Sequence, residues 1–270
     1  MLRRVHRIAV PVVLLALIGP ACASRPLALP TGPGTPRADY ASIFSGATAG
    51  CRAARTMTAE LVLSGRAGRQ KLRGRVLAGL APGALRLEGV APFGAPVFIF
   101  VARDGNGTLL LPRERRVLAS APPADILRAL AGISLTPDDL RLLLAGCVKA
   151  APAPIDGRAY GSGWVVVDLD GGGTAYLRRE ADGWRLVAGT HPPVTVEYGR
   201  FLNMMPQVVR VRSAAEAGTR QVDADVLVTL RQVEINGAID AQAFALEVPE
   251  TAVPLTIGEL EDRGPLGAGR

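Results

Sequence analysis

The chain has 270 residues, 49% hydrophobic and only 4% aromatic, with 31 basic against 24 acidic residues and a net charge of +7. That length suits one large domain or two small ones. The charge falls short of a nucleic-acid footprint, because the aromatics that would stack bases are sparse and not clustered with the arginines; with two histidines, His6 and His191, metal sites built on several His ligands are excluded.

Residues 1–21 have the order of an export signal. Arg3, Arg4 and Arg7 form a basic front, residues 8–18 (IAVPVVLLALI) are apolar with one break at Pro11, and Gly19, Pro20 and Ala21 are small. The apolar run is shorter than the roughly 20 residues a spanning helix needs. Cys22 follows directly, where bacterial export signals accept a lipid, although Gly19 stands where a branched apolar residue is usual. The alternative is ordinary cleavage, with Cys22 left as a thiol. Residues 22–37 carry Pro26, Pro30, Pro33 and Pro36 and read as an extended tether. Loss of the first 21 residues removes three arginines and no acid, which leaves 249 residues at +4. A modest attraction to anionic lipid headgroups follows.

The folded domain is expected over 38–257. Across 37–57, Ile43, Phe44, Ala47, Cys51 and Ala54 recur at helical spacing. The period then changes to two. In QKLRGRVLAGL, Leu72, Gly74, Val76, Ala78 and Leu80 point one way and Lys71, Arg73 and Arg75 the other, a half-buried antiparallel strand. TAELVLSG before it and ALRLEGV after it, with Leu85 and Leu87, have strand composition. PVFIFVA and TLLLP flank a hairpin turn, RDGNG at 103–107. Two helices follow. ADILRALAG places Ile126, Leu127 and Leu130 on one face. LTPDDLRLLLAG has Thr136 as N-cap, Pro137 at the first helical position, Leu140, Leu143 and Leu144 on its apolar face and Gly146 as its stop.

Residues 151–157 (APAPIDG) read as a loop, after which strands resume. GWVVVDLDGGGTAYLRR reads as a hairpin turning at 170–173, followed by GWRLVAG, VTVEYGRF and QVVRVR. In VDADVLVTLRQVEIN the apolar face is even-numbered through Val226, Val228 and Leu230, then odd at Val233 and Ile235, which predicts a bulge after Arg231. AFALEVP is expected as the last strand, and 258–270 as a frayed tail. Many short strands and few helices predict a mainly β, α+β domain built on one strongly curved antiparallel sheet.

No residue set combines nucleophile, base and orienting group, and the chain reads as non-enzymatic, with no cofactor and no metal. His191 sits in THPP, a turn sequence. DLDGGG at 168–173 and DGNG at 104–107 lack the ligand spacing of a calcium loop and read as hairpin tips. Cys51 and Cys147 can form a disulfide in an oxidising compartment or stay as two buried thiols. The apolar faces offer two readings. They close on one another as a core, or they enclose a greasy cavity lined by Leu72, Val76, Leu85, Leu87, Val226 and Val228 with the two helices laid over its mouth.

The ordered run ALRLEGVAPFGAPVFIFVARDGNGTLLLPRERR, then ADILRALAGISLTPDDLRLLLAGC, resembles the middle of the bacterial outer-membrane lipoprotein receptor LolB. The segment VTLRQVEINGAIDAQAFALEVPE resembles the closing strands of the periplasmic carrier LolA. The resemblance implies an unclosed half-barrel lidded by helices and holding the acyl chains of a lipoprotein, in a lipid-anchored protein that faces the periplasm from the outer membrane. It implies acylated lipoproteins or lipid as partners, a LolA-like donor, and a membrane-insertion loop at Pro92, Phe93 and Gly94, with Phe93 where the family has Leu. An envelope lipoprotein that carries another lipid or glycolipid, or that scaffolds a partner, is the alternative.

Overall fold

The computed structural model describes residues 27–148, 152–215 and 223–263. The expected export signal and Cys22 lie outside the described residues. In chain order the elements are β1 (Thr35–Pro36), α1 (Tyr40–Ala53), β2 (Met57–Ala67), β3 (Gln70–Ala81), β4 (Ala84–Gly89), β5 (Ile99–Arg103), β6 (Asn106–Leu111) and β7 (Arg116–Ala121). Helices α2 (Pro123–Ala131) and α3 (Pro137–Ala145) follow, then β8 (Pro154–Tyr160), β9 (Trp164–Leu169), β10 (Gly173–Glu180), β11 (Gly183–His191), β12 (Val194–Leu202), β13 (Met205–Ser213), β14 (Ala224–Ile235), β15 (Val253–Pro254) and α4 (Ile257–Arg263).

All fifteen strands join one sheet in the order β1-β8-β9-β10-β11-β12-β13-β14-β2-β3-β4-β5-β6-β7-β15. Every pair is antiparallel except β15 on β7. The sheet curves and stays open: its outer strands, β1 and β15, do not meet. Each of these edge strands is two residues long and ends in a proline, Pro36 or Pro254, which blunts further edge pairing. Curvature comes from register shifts, because a bulge bends its strand and increases the local twist. One falls between Arg231 and Glu234 of β14, where the change of face predicted it, and others lie in β6–β7, β8–β9 and β10–β11. At Gly65 in β2 the backbone has φ +141° and a Cβ would lie 2.0 Å from the carbonyl oxygen of Asp225; only glycine allows β2 and β14 to approach so closely.

The period-2 pattern puts Leu61, Leu72, Val76, Leu87, Val211, Val226 and Val228 on the concave face, where they form one core cluster with α1, α2 and the leucines of α3. Helix α1 lies over β8 and β11. Gly157 makes room for it, since a Cβ there would meet that of Tyr40 at 2.1 Å.

Five local expectations are corrected. The proposed tether is not free throughout: β1 pairs with β8, and Tyr160 donates to the Gly32 carbonyl at 2.8 Å. The loop read over 151–157 ends early, because β8 begins at Pro154 on the free edge of β9. RVLASA forms β7, a strand the alternation did not single out. AFALEVP is not a strand. Residues Ala241–Phe244 make a 3-10 turn that seats Phe244 on Ala84 and Val101 of the outer face, and Arg86 donates to the carbonyls of Ala243 and Ala245, so those groups do not pair in a ladder. Finally, 257–263 is helix α4, with Leu260 buried. Thr256 accepts from the Glu259 amide, and the Glu259 carboxylate accepts from the Thr256 amide, a reciprocal cap.

The Sγ atoms of Cys51 and Cys147 are bonded, with 5.6 Å between the Cα atoms and a sequence separation of 96. The bond ties α1 to the residue that follows the Gly146 stop of α3. A loop of that length restricts the unfolded chain strongly, by about 4–5 kcal/mol in the chain-entropy account. The double substitution Cys51→Ser, Cys147→Ser is expected to lower unfolding stability by about 2–5 kcal/mol, read as a reduced urea midpoint relative to the oxidised parent.

Candidate functional site

A cavity of about 90 Å³ lies between the concave face and helices α2 and α3, and its wall is entirely apolar. Strands β2, β3, β4, β13 and β14 contribute Leu61, Leu63, Leu72, Val76, Leu87, Val211, Val226 and Val228, and Phe98 joins them from just before β5. The roof is Leu127, Leu130 and Ala131 of α2, Ile133 and Leu135 of the 132–136 connection, and Leu140, Leu143 and Leu144 of α3. Among the residues singled out from sequence, Leu72, Val76, Leu87, Val226, Val228, Leu127, Leu130, Leu140, Leu143 and Leu144 thus meet at one place. Leu85 and Ile126 do not line the cavity. Both are fully buried: Leu85 is in the core beside its ladder partners Leu80 and Ala102, and Ile126 packs on Gly107, where a Cβ would meet its Cδ1 at 2.8 Å. Leu61, Leu63, Phe98, Ala131, Ile133, Leu135 and Val211 were missed; the alternation of TAELVLSG and QVVRVR carried the signal for Leu61, Leu63 and Val211, Ala131 ends α2, and Phe98, Ile133 and Leu135 lie in connections with no period to read.

The two roof helices are held differently. Helix α3 starts at a reciprocal Thr136–Asp139 cap behind Pro137 and stops at Gly146 in the left-handed region, φ 102°. The buried Arg141 donates to the Ala54 carbonyl and, at 2.9 Å, to Asp138, and Asp138 accepts from the Gly83 amide at 3.2 Å. Just beyond α3, Cys147 carries the disulfide, and its carbonyl accepts from Tyr198 at 2.7 Å; burial pushes the Tyr198 phenol well above its ordinary value and keeps it a neutral donor. Helix α2 is held by ion pairs and a buried hydrogen bond, with no covalent link among the described residues. Arg128 bridges Asp125 and Glu261 of α4 at 3.0 and 2.7 Å, and Ser213 donates to the Gly132 carbonyl at 3.2 Å. Helix α4 is in turn held by Arg116 on Glu259 and Arg263 on Glu114. Arg116, with the Thr256 amide and hydroxyl, holds the Glu259 carboxyl down at about 2.

The 90–98 loop projects from the rim. Phe93 is 88% exposed, and Pro92 and Gly94 are exposed beside it. The backbone under it is fixed, because Arg113 donates to the carbonyls of Phe93 at 2.7 Å and Ala95 at 3.2 Å. At its base, Gly89 exchanges both ladder bonds with this loop, its amide to Phe98 and its carbonyl to Val97. A Cβ on Gly89 would lie 2.4 Å from the Phe98 ring, so glycine there lets Phe98 turn into the cavity wall.

The remaining sequence candidates stand apart from the cavity. Asp168 pairs with Arg158 at 2.5 Å, and Asp170 accepts from the Ala153 amide. His191 ends β11 beside a cis Pro192–Pro193 bond. Among the described residues no group of three or more His, Cys, Asp or Glu side chains is placed to hold a metal ion, and no helix is long and apolar enough to cross a membrane. What the cavity offers chemically is a place for hydrocarbon and for nothing that needs a hydrogen bond.

No protein-family model matches the sequence, and no curated protein matches it. Solved structures do share its fold. A LolA superfamily protein from Nitrosomonas europaea superposes with a TM-score of 0.52 at 10% identity, over 74% of this chain and 95% of that one. A DUF1329 family protein from Desulfovibrio piger superposes with a TM-score of 0.50 at 9% identity, over 78% of this chain and 98% of that one. The likeness is one of fold: the open, helix-covered sheet of this chain superposes on a LolA superfamily protein and on a DUF1329 family protein alike, and neither match points to LolB.

Proposed function

We propose that this chain is a lipid-anchored, periplasm-facing carrier that takes the acyl chains of lipoproteins into the cavity under α2 and α3 and passes them to the outer membrane. Cys22 carries the anchor, a LolA-like protein is the donor, and no chemical step is involved. The observation that supports this most is the wholly apolar cavity roofed by two short helices. Transfer runs on the relative affinity of cavity and bilayer for the same chains.

At about 90 Å³ the cavity is smaller than the about 150 Å³ void that admits one benzene, so a guest must lift the roof. The helices are not equal in this. The disulfide, Tyr198 and Arg141 fix the far end of α3, and α2 is held by ion pairs and a hydrogen bond without a covalent link. Opening therefore falls to α2 and the 132–136 connection. Withdrawing Leu127, Leu130 and Ile133 costs roughly 1.5–3 kcal/mol each. Each guest methylene returns about 0.8 kcal/mol, so about six to eleven are needed to offset the opening. Affinity is therefore expected to climb about fourfold per methylene from octanoyl to palmitoyl chains, measured by displacement of a fluorescent fatty acid. A flat dependence, or exclusion of every acyl probe, removes the carrier reading and leaves a scaffold.

Phe93 is the side chain that enters the receiving membrane. Phe93→Glu is expected to leave folding and acyl binding unchanged while slowing delivery of a lipopeptide to vesicles by about tenfold or more, because a carboxylate resists burial in hydrocarbon. Unchanged delivery removes the loop from the mechanism.

A further inference from the structure

The β2–β3 hairpin carries Arg66, Arg69, Lys71, Arg73 and Arg75, with no acidic residue between Ser64 and Arg75, and all five cations are exposed. Ladder register sets four of them on the outer face: Arg66 lies opposite Lys71, Ser64 opposite Arg73, and Val62 opposite Arg75. Arg69 stands at the tip. The carboxylates on that face are already engaged: Asp223, whose carbonyl accepts from the Gly68 amide, takes the Ala215 amide on its side chain at 2.6 Å, Glu88 pairs with Arg86, and three others each have a cation. Asp225, opposite Arg66 on β14, takes both bonds of Arg210 at 2.8 and 2.6 Å; Glu197 is held by Arg212; Glu60 lies 3.7 Å from Arg75. Among the described residues, Arg66, Arg69, Lys71 and Arg73 reach no carboxylate within ion-pair distance.

This band adjoins both the protruding loop and the cavity. Strand β4 ends at Gly89, opposite Val76, so positions 70–75 of β3 extend past it. The 90–98 loop runs alongside instead, tied by the Val90 amide to the Arg75 carbonyl at 2.8 Å. Arg73, Arg75 and the 40% exposed Val97 line one recess there. Leu63, Val76 and Phe98 belong to both that recess and the cavity wall. Hydrocarbon leaving on this side emerges between cations and the Phe93 loop.

We infer that this end of the half-barrel is a docking face for a bilayer rich in anionic phospholipid, with the β2–β3 cations on the headgroups and Phe93 below them. The arrangement of an exposed apolar wedge beside unpaired basic residues matches an anionic interface and fits neither neutral lipid nor water alone. The inference rests on the carrier reading for its purpose, and its test is separate.

The full mature chain carrying Cys22→Ala, so that no anchor contributes, is floated with phosphatidylcholine vesicles and with vesicles of roughly one-third phosphatidylglycerol. It is expected to prefer the anionic vesicles, and to lose that preference in high salt. Each basic residue at the surface is worth about fivefold in partitioning, so Arg69→Gln, Lys71→Gln, Arg73→Gln together weaken anionic binding by about a hundredfold and leave neutral binding and acyl-probe affinity unchanged. Arg69→Glu with Arg73→Glu, whose side chains are exposed, gives an independent check in the same direction. Equal binding of the parent to both vesicle types overturns the inference, as does a triple variant within about threefold of the parent. Salt-sensitive binding to polyglutamate without binding to anionic vesicles also overturns it, in favour of an acidic protein partner. An anionic preference in a protein that excludes every acyl probe upholds the docking face and sinks the carrier reading.

Discussion

A curved open sheet has a concave apolar face that it cannot cover by itself, and the rest of this molecule follows from that constraint. The strands supply Leu and Val at every second position, and bulges bend them inward. Without closure, those side chains would face water. Helices α1, α2 and α3 cover them, and over most of the area the cover is close-packed. Beneath α2 and α3, leucines from both layers leave a void with a wholly apolar wall. Interiors ordinarily fill such space, and on the proposed function the apolar void under two short helices is where the cover parts.

The disulfide fixes one side of that cover. It joins α1 to the end of α3 in a small separate cluster with Ala54, Leu142 and Ala145. On the opposite side, α2 rests on α4 through Arg128 and Glu261. The covalent bond holds the end of α3 to α1 through any local opening, whereas α2 is held by hydrogen bonds and ion pairs, so on the proposed function α2 yields first. The C-terminal helix thereby acquires a role in the roof instead of trailing from the domain.

Much of this was legible because period and caps report local physics directly. Leu72 and Val76 alternate with Lys71, Arg73 and Arg75, and the alternation placed them on the cavity side. Thr136, Pro137 and Gly146 bounded α3. The bulge after Arg231 showed as a change from even to odd apolar positions. Where reading failed, tertiary context had overridden the local signal. AFALEVP has strand composition, yet Arg86 takes its carbonyls and Phe244 finds a hollow on the outer face. β8 begins with a proline on a free edge, which the pattern of a loop hides. Thr256-Ile257-Gly258-Glu259 has the spacing of a reciprocal cap, but Gly258 and the polar run after it read as a tail. Leu85, read as a cavity residue, is buried outside the void, and Ile126, read on the apolar face of α2, is buried there without reaching it, because period gives the face of an element and not the depth at which a void lies.

The central claim is that hydrocarbon enters beneath α2 and α3. It is tested most directly by photolabelling the purified protein with a palmitoyl probe that carries a diazirine near the chain end, then mapping the attachment sites by mass spectrometry. The account predicts labels on the wall and roof, at residues such as Leu72, Leu143 and Val226. Labels confined to exposed apolar residues such as Phe93 and Leu202, with none inside, would contradict it.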